Sequence, residues 1–126
     1  MILAAVDDLL FTSKIRAAAK QLGVHVVFAR SPEDVLEQAR AFRPALAIFD
    51  LNSQRLQPLS TLSELKADES LAGIRTIGFI SHVQIALIAA ARSAGMDEVM
   101  PRSAFVAKLG DIVGNTKMTE GEKTNA

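Results

Sequence analysis

Five polar residues stand out by where they fall. Asp7 and Asp8 end the apolar run 2–6, Asp50 ends the run 45–49, Ser81 ends the run 74–80, and Arg102 follows a short run at 98–100. Three carboxylates brought together repel one another, and a hard divalent cation with oxygen ligands relieves that repulsion; Mg²⁺ is the natural candidate. A hydroxyl and a fixed guanidinium beside them suit a phosphoryl group. The residues therefore read as a magnesium site beside a carboxylate able to accept phosphate. The chain has no cysteine, which excludes disulfides, thiolate metal ligands and a thiol nucleophile. His25 and His82 form no metal pair by spacing; His25 reads as structural and His82 as lining the mouth of the pocket.

For these residues to meet, the runs that carry them must be strands of one sheet. Ile2 to Val6, Val24 to Ala29, Ala45 to Phe49, Ile74 to Ile80 and Glu98 to Met100 read as strands. Several are continuously apolar rather than alternating, the mark of a parallel sheet covered on both faces. Helical patterns lie between them. The first is capped by Thr12 or Ser13 and closed by Gly23. The second starts at Ser31-Pro32-Glu33-Asp34, buries Val35, Leu36, Ala39 and Phe42, and stops at Pro44. A third runs from about Ser60 to Ala67, a fourth from Val83 to Ala94, and a fifth starts at a Ser103 cap with Phe105, Val106, Leu109, Ile112 and Val113 on its apolar face. Strand and helix alternate five times, which predicts an α/β, flavodoxin-like, doubly wound five-stranded parallel sheet with helices on both faces. In such sheets ligands bind beyond the carboxyl ends of the strands, where the five polar residues sit.

The chain has 126 residues, 49% of them hydrophobic, enough for one domain with a real core. Residues 1–114 read as that domain and 115–126 as a disordered polar tail. Lys plus Arg and Asp plus Glu both number 14, so no basic excess points to nucleic acid or a membrane surface. The N-terminus lacks a basic segment before its apolar run, and no run approaches the ~20 residues that cross a bilayer. The expectation is a cytoplasmic protein.

The same residues carry a resemblance. Val6-Asp7-Asp8, Phe49-Asp50-Leu51-Asn52, Ile80-Ser81 and Ala94-Gly95-Met96-Asp97-Glu98-Val99, in that order, resemble the receiver domains of bacterial response regulators over roughly residues 1–114. The resemblance implies a two-component signalling module, not an enzyme beyond weak self-phosphorylation and self-dephosphorylation. Asp50 would take a phosphoryl group from a histidine kinase or phosphotransfer protein. Asp8 and Asp50 would ligate Mg²⁺ with the backbone carbonyl of Asn52, Asp7 would act largely through a metal-bound water, and Ser81 would hydrogen-bond the phosphoryl group. Arg102 falls where the family keeps a Lys.

The sequence also departs from that pattern. Arg102 is a planar fork where the family has a compact ammonium. Ser103 replaces a Pro, so the family's cis peptide is not expected there. His82 is bulky where the family prefers a small residue, Val99 replaces the aromatic switch, and the loop after Asp50 lacks the Met-Pro and Asp-Gly turn residues. Taken singly, Asp7-Asp8 also fits a solvated turn, Ser81 a helix cap and Arg102 a surface charge. Two readings follow: a receiver that accepts phosphate on Asp50, or a pseudo-receiver acting by constitutive protein contact. A small flavodoxin-like enzyme or nucleotide binder ranks below both, because no Gly-rich phosphate loop follows any strand. The helix from Val83 to Ala94 is apolar nearly all round, which predicts a homodimer or target surface with Val83 and Leu87 as outward anchors.

Overall fold

The computed structural model describes residues 1–81 and 84–125, with side chains as far as residue 116. Ten elements alternate along the chain: β1 (Ile2–Ala5), α1 (Leu9–Leu22), β2 (Val26–Phe28), α2 (Pro32–Phe42), β3 (Leu46–Asp50), α3 (Pro58–Ala67), β4 (Arg75–Ile80), α4 (Ile85–Ser93), β5 (Glu98–Pro101) and α5 (Arg102–Asn125). The strands form one parallel sheet in the order β2-β1-β3-β4-β5. The expected doubly wound architecture is therefore present. It leaves β2, three residues long, and β5, which contains Pro101, as the two edges.

Because strand side chains alternate, each apolar run feeds both faces of the sheet. Ile2, Ala4, Ile48, Ile77 and Phe79 point into a core with α1 and α5. Leu3, Ala5, Ala47 and Phe49 point into a second core with α2, α3 and α4. In the first core Phe79 stacks between Phe11 of α1, at 5.0 Å between centroids, and Phe105 of α5, at 4.7 Å. This trio ties the first and last helices to the strand that leads into Ser81.

Local chemistry sets the helix ends. Ser31 accepts the N–H of Asp34 at 3.0 Å, Pro32 follows, and Glu33 and Asp34 sit in the first turn of α2. Gly23 closes α1 with φ 71°, a left-handed conformation that a Cβ would oppose. At the opposite end of the sheet from Asp50, Asp97 joins β4 to the start of β5. Its Oδ2 accepts the backbone N–H of Thr76 at 2.8 Å and the Thr76 hydroxyl at 3.0 Å, and Lys66 Nζ lies 3.6 Å away. The acid of the Gly95-Met96-Asp97 segment is thus a structural clamp.

Several expectations need correcting. α1 begins at Leu9, ahead of Thr12 and Ser13, because Asp8 is its cap. Leu9 and Leu10 are exposed, so the buried stripe gave no sign of this early start. α3 begins at Pro58 rather than Ser60, and α5 at Arg102, before Ser103. Phe42, at the last position of α2, is 51% exposed rather than buried. α4 begins at Ile85; the expected start Val83 and the neighbouring His82 lie outside the described residues. Leu87 packs against the second core and is no outward anchor, whereas Ile85 is 79% exposed. An alanine-rich helix has too little periodicity to say which leucine or isoleucine faces in. α5 runs from Arg102 to Asn125. There are no cis peptide bonds among the described residues.

The phenylalanine trio yields a stability test. Phe79 is 1% exposed, so Phe79→Ala should cost ~3–5 kcal/mol. Phe42→Ala should cost less than about 0.5 kcal/mol, as is usual at exposed positions. Urea unfolding midpoints of the two variants against wild type check both.

Candidate functional site

Asp50 is the last residue of β3, the central strand, and pairs across to Phe79 of β4. Its flanking strands are buried, so the residue is only 9% exposed. Its Oδ1 accepts the N–H of Asn52 at 3.0 Å. Burial pushes its carboxyl group above the ordinary range; the Asn52 N–H opposes this, the charge of Asp7 adds to it, Arg102 opposes it and Asp8 adds to it. The charges of Asp7, Arg102 and Asp8 thus all act on Asp50.

The two acids after β1 do different work. Asp7 is exposed, and its Oδ2 accepts the Ser53 hydroxyl at 3.1 Å. Ser53 is buried, and its Oγ in turn accepts the N–H of Leu56 at 3.3 Å. Asp8 caps α1: its Oδ1 accepts the N–H groups of Leu10 at 2.9 Å and Phe11 at 3.2 Å. Its Oδ2 accepts Nη2 of Arg102 at 3.0 Å. The Phe11 N–H above all holds the Asp8 carboxyl below the ordinary range; partial desolvation works against this, and the Leu10 N–H and Arg102 add to it.

Arg102 opens α5 and lies over Phe11, 3.9 Å from guanidinium carbon to ring centroid. Its Nε is buried without a hydrogen-bond partner among the described residues. A buried donor of this kind carries a desolvation cost that an arriving acceptor would offset. A planar guanidinium can stack on Phe11 while one nitrogen reaches Asp8, which a point-charge ammonium could not do in the same way.

Ser81 follows β4 directly and is exposed. Its link to the acids runs through Asn52. The backbone N–H of Ser81 donates to Asn52 Oδ1 at 2.6 Å, and Asn52 Nδ2 donates to Oε1 of Gln84, the residue that caps α4, at 3.2 Å. One side chain therefore joins the loop after β3 to the start of α4. Sequence reasoning assigned Asn52 only through its backbone, and it missed Ser53 and Gln84, which carry no motif signal.

The oxygen donors here suit a hard divalent cation in kind: carboxylates of Asp7, Asp8 and Asp50, with the Asn52 carbonyl nearby in sequence. Among the described residues no three acids are gathered into a grip on an ion. Asp8 explains this, since one of its oxygens serves the helix cap and the other Arg102. A cation would fit the donor set only with Asp8 turned from Arg102.

The two shifted acids give opposite pH behaviour in buffer free of divalent cations. The raised group, Asp50, favours the folded state below its unfolded pKa and loses that contribution as pH rises through its folded value. The lowered group, Asp8, contributes stability above its unfolded-state pKa that is lost as pH falls through its folded value. Asp50→Asn keeps an acceptor for Asn52 and removes the buried charge. It should raise the neutral-pH melting temperature by about 4 °C or more, the scale of ~1 kcal/mol in a domain of this size. Asp8→Ala should lower it, with the difference from wild type shrinking toward acid pH. Thermal melts across pH 3 to 8 check both.

No protein-family model matches the sequence, and no curated protein matches it. Solved structures do match the fold. The phosphorylated cyanobacterial phytochrome response regulator RcpA aligns with a TM-score of 0.75 at 23% identity, over 90% of this chain and 88% of that one. The Mn(2+)-bound form of response regulator Rcp1 aligns at 0.73 and 15% identity, over 90% and 88% of the two chains. A response regulator from Hahella chejuensis aligns at 0.80 and 16% identity, over 91% and 92%. The five-stranded parallel sheet with its five helices is the fold of response-regulator receiver domains.

Proposed function

We propose that this chain is a two-component receiver that accepts a phosphoryl group on Asp50. The observation that carries the reading is the placement of Asp50: a carboxylate at the end of the central strand, 9% exposed, flanked by two further acids and a guanidinium. The donor would be a phosphohistidine on a histidine kinase or phosphotransfer protein. A carboxylate oxygen of Asp50 attacks phosphorus, an O–P bond forms, the P–N bond breaks, and the imidazole leaves with its electron pair and takes a proton. Mg²⁺, held by Asp8, Asp50 and the Asn52 carbonyl with Asp7 acting through water, would neutralise charge on the phosphoryl oxygens. The exposed Ser81 hydroxyl and the Arg102 guanidinium, once turned from Asp8, would donate to those oxygens. Downstream, the side-chain bonds of Asn52 to Ser81 and Gln84 offer a route from the site to α4, and Ile85 an exposed apolar contact for a target or a second copy.

The Arg102–Asp8 pair favours a second reading. It occupies the acid that a metal needs, as expected of a pseudo-receiver working by constitutive contact. Intact mass after incubation with acetyl phosphate and Mg²⁺ separates the two. The receiver gains one phosphate, and Asp50→Asn gains none. A wild type that stays unmodified while Arg102→Lys reacts establishes the pseudo-receiver.

Metal binding gives a further test. Arg102 competes with the cation for Asp8, so Arg102→Gln should tighten Mn²⁺ or Mg²⁺ binding by about threefold, the scale of a part-exposed ion pair. Asp8→Asn should abolish binding. Calorimetric titration checks both.

A further inference from the structure

A cleft of about 270 Å³ lies beyond the carboxyl ends of β1 and β2, on the far side of Asp7 from Arg102 in the sheet order. Asp50 does not line it. Three guanidiniums do, each from a different element: Arg16 from α1, Arg30 from the turn after β2, and Arg55 from the loop between β3 and α3. All three residues are exposed, and among the described residues no guanidinium of the three forms an ion pair, although the Arg30 backbone N–H donates to Asp34 Oδ2 at 3.2 Å. Arg40, Arg75 and Arg102, by contrast, each face an acid. The one acid in the cleft lining is Asp7, whose Oδ2 is already engaged by the Ser53 hydroxyl.

A chain of zero net charge has thus collected three like charges around one concavity, against a single acid. Like charges converging on a cleft repel unless an anion enters, the mirror image of the neighbouring acids and their cation. Arg16 has an anchor: its guanidinium carbon lies over the Phe28 ring, 4.8 Å from the centroid. Guanidiniums bind phosphate oxygens in pairs of parallel hydrogen bonds, and the Ser13 hydroxyl on the same wall adds a donor. The volume falls just under the ~300–1,000 Å³ typical of small-molecule pockets, which favours a compact ligand over a dinucleotide. In parallel α/β sheets the crevice beyond the strand ends is where such ligands bind.

We propose that this cleft binds a small phosphorylated metabolite, a compact diphosphate or sugar phosphate, through Arg16, Arg30 and Arg55. The site needs neither Asp50 nor a divalent cation, so it stands apart from phosphoryl transfer.

Calorimetric titration with inorganic pyrophosphate and with inorganic phosphate, in buffer stripped of divalent cations, tests it. Saturable binding is expected, tighter for pyrophosphate. Arg16→Gln and Arg55→Gln should each weaken it about tenfold, while Arg40→Gln and Asp50→Asn leave it unchanged. Arg30→Gln is a third variant on an exposed side chain, should Arg16→Gln disturb the packing on Phe28; urea midpoints report that. An absence of saturable binding at millimolar ligand overturns the proposal. So does an equal loss in Arg40→Gln, which would mean general surface attraction, or a marked tightening in Asp50→Asn, which would place the anion beside the acids. Failure of Asp50 to accept phosphate leaves these outcomes unaffected.

Discussion

A carboxylate at the end of a buried central strand is costly to keep charged, and two more acids beside it raise the cost. Asp50 occupies that position, and much of the surrounding structure answers to it. The Asn52 N–H satisfies one of its oxygens. Asp7 is tethered by Ser53, and Asp8 is turned into a helix cap and an ion pair. Arg102 supplies positive charge while lying on an aromatic ring rather than in open water. Each acid is therefore managed by a different device, and the devices come from three separate segments of chain: the loop after β3, the start of α1 and the start of α5.

The sheet makes that convergence possible. With β3 between β1 and β4, the residues at the carboxyl ends of three adjacent strands share one rim. The stack of Phe11, Phe79 and Phe105 fixes α1 and α5 against β4, so that the start of α5 presents Arg102 to the cap of α1. At the other end of the strands the Thr76–Asp97 clamp sets the position of β5, and hence of the residue that follows it. Packing on both faces thus governs the reach of a single guanidinium.

The sheet and the rim were legible in the sequence because parallel strands buried on both faces read as continuous apolar runs, and each run ends where polarity begins. That rule placed Asp7, Asp8, Asp50, Ser81 and Arg102 before any contact was known. It could not separate the roles of Asp7 and Asp8, because neighbours on a chain look alike until a helix axis is fixed. The cap of α1 was misread for a related reason: Leu9 and Leu10 are helical yet exposed, so they fall outside any buried stripe. The orientation of α4 was hidden by its alanines, which fit either face. Ser53 and the amide of Asn52 act across 46 and 29 residues of sequence, a separation that no local pattern encodes. Arg16, Arg30 and Arg55 were invisible as a group for the same reason.

The two borders of the sheet carry a consequence of their own. A strand at a border offers unpaired N–H and C=O groups to any extended segment that comes near, the usual start of runaway fibril growth. Here one border is a strand of only three residues, too short to template much pairing. At the other, Pro101 deletes an amide donor from the last strand. Neither side gives a neighbouring copy a long ladder to continue. A crowded population of these molecules is thereby steered away from strand-by-strand accretion, and any ordered assembly is left to the helical faces.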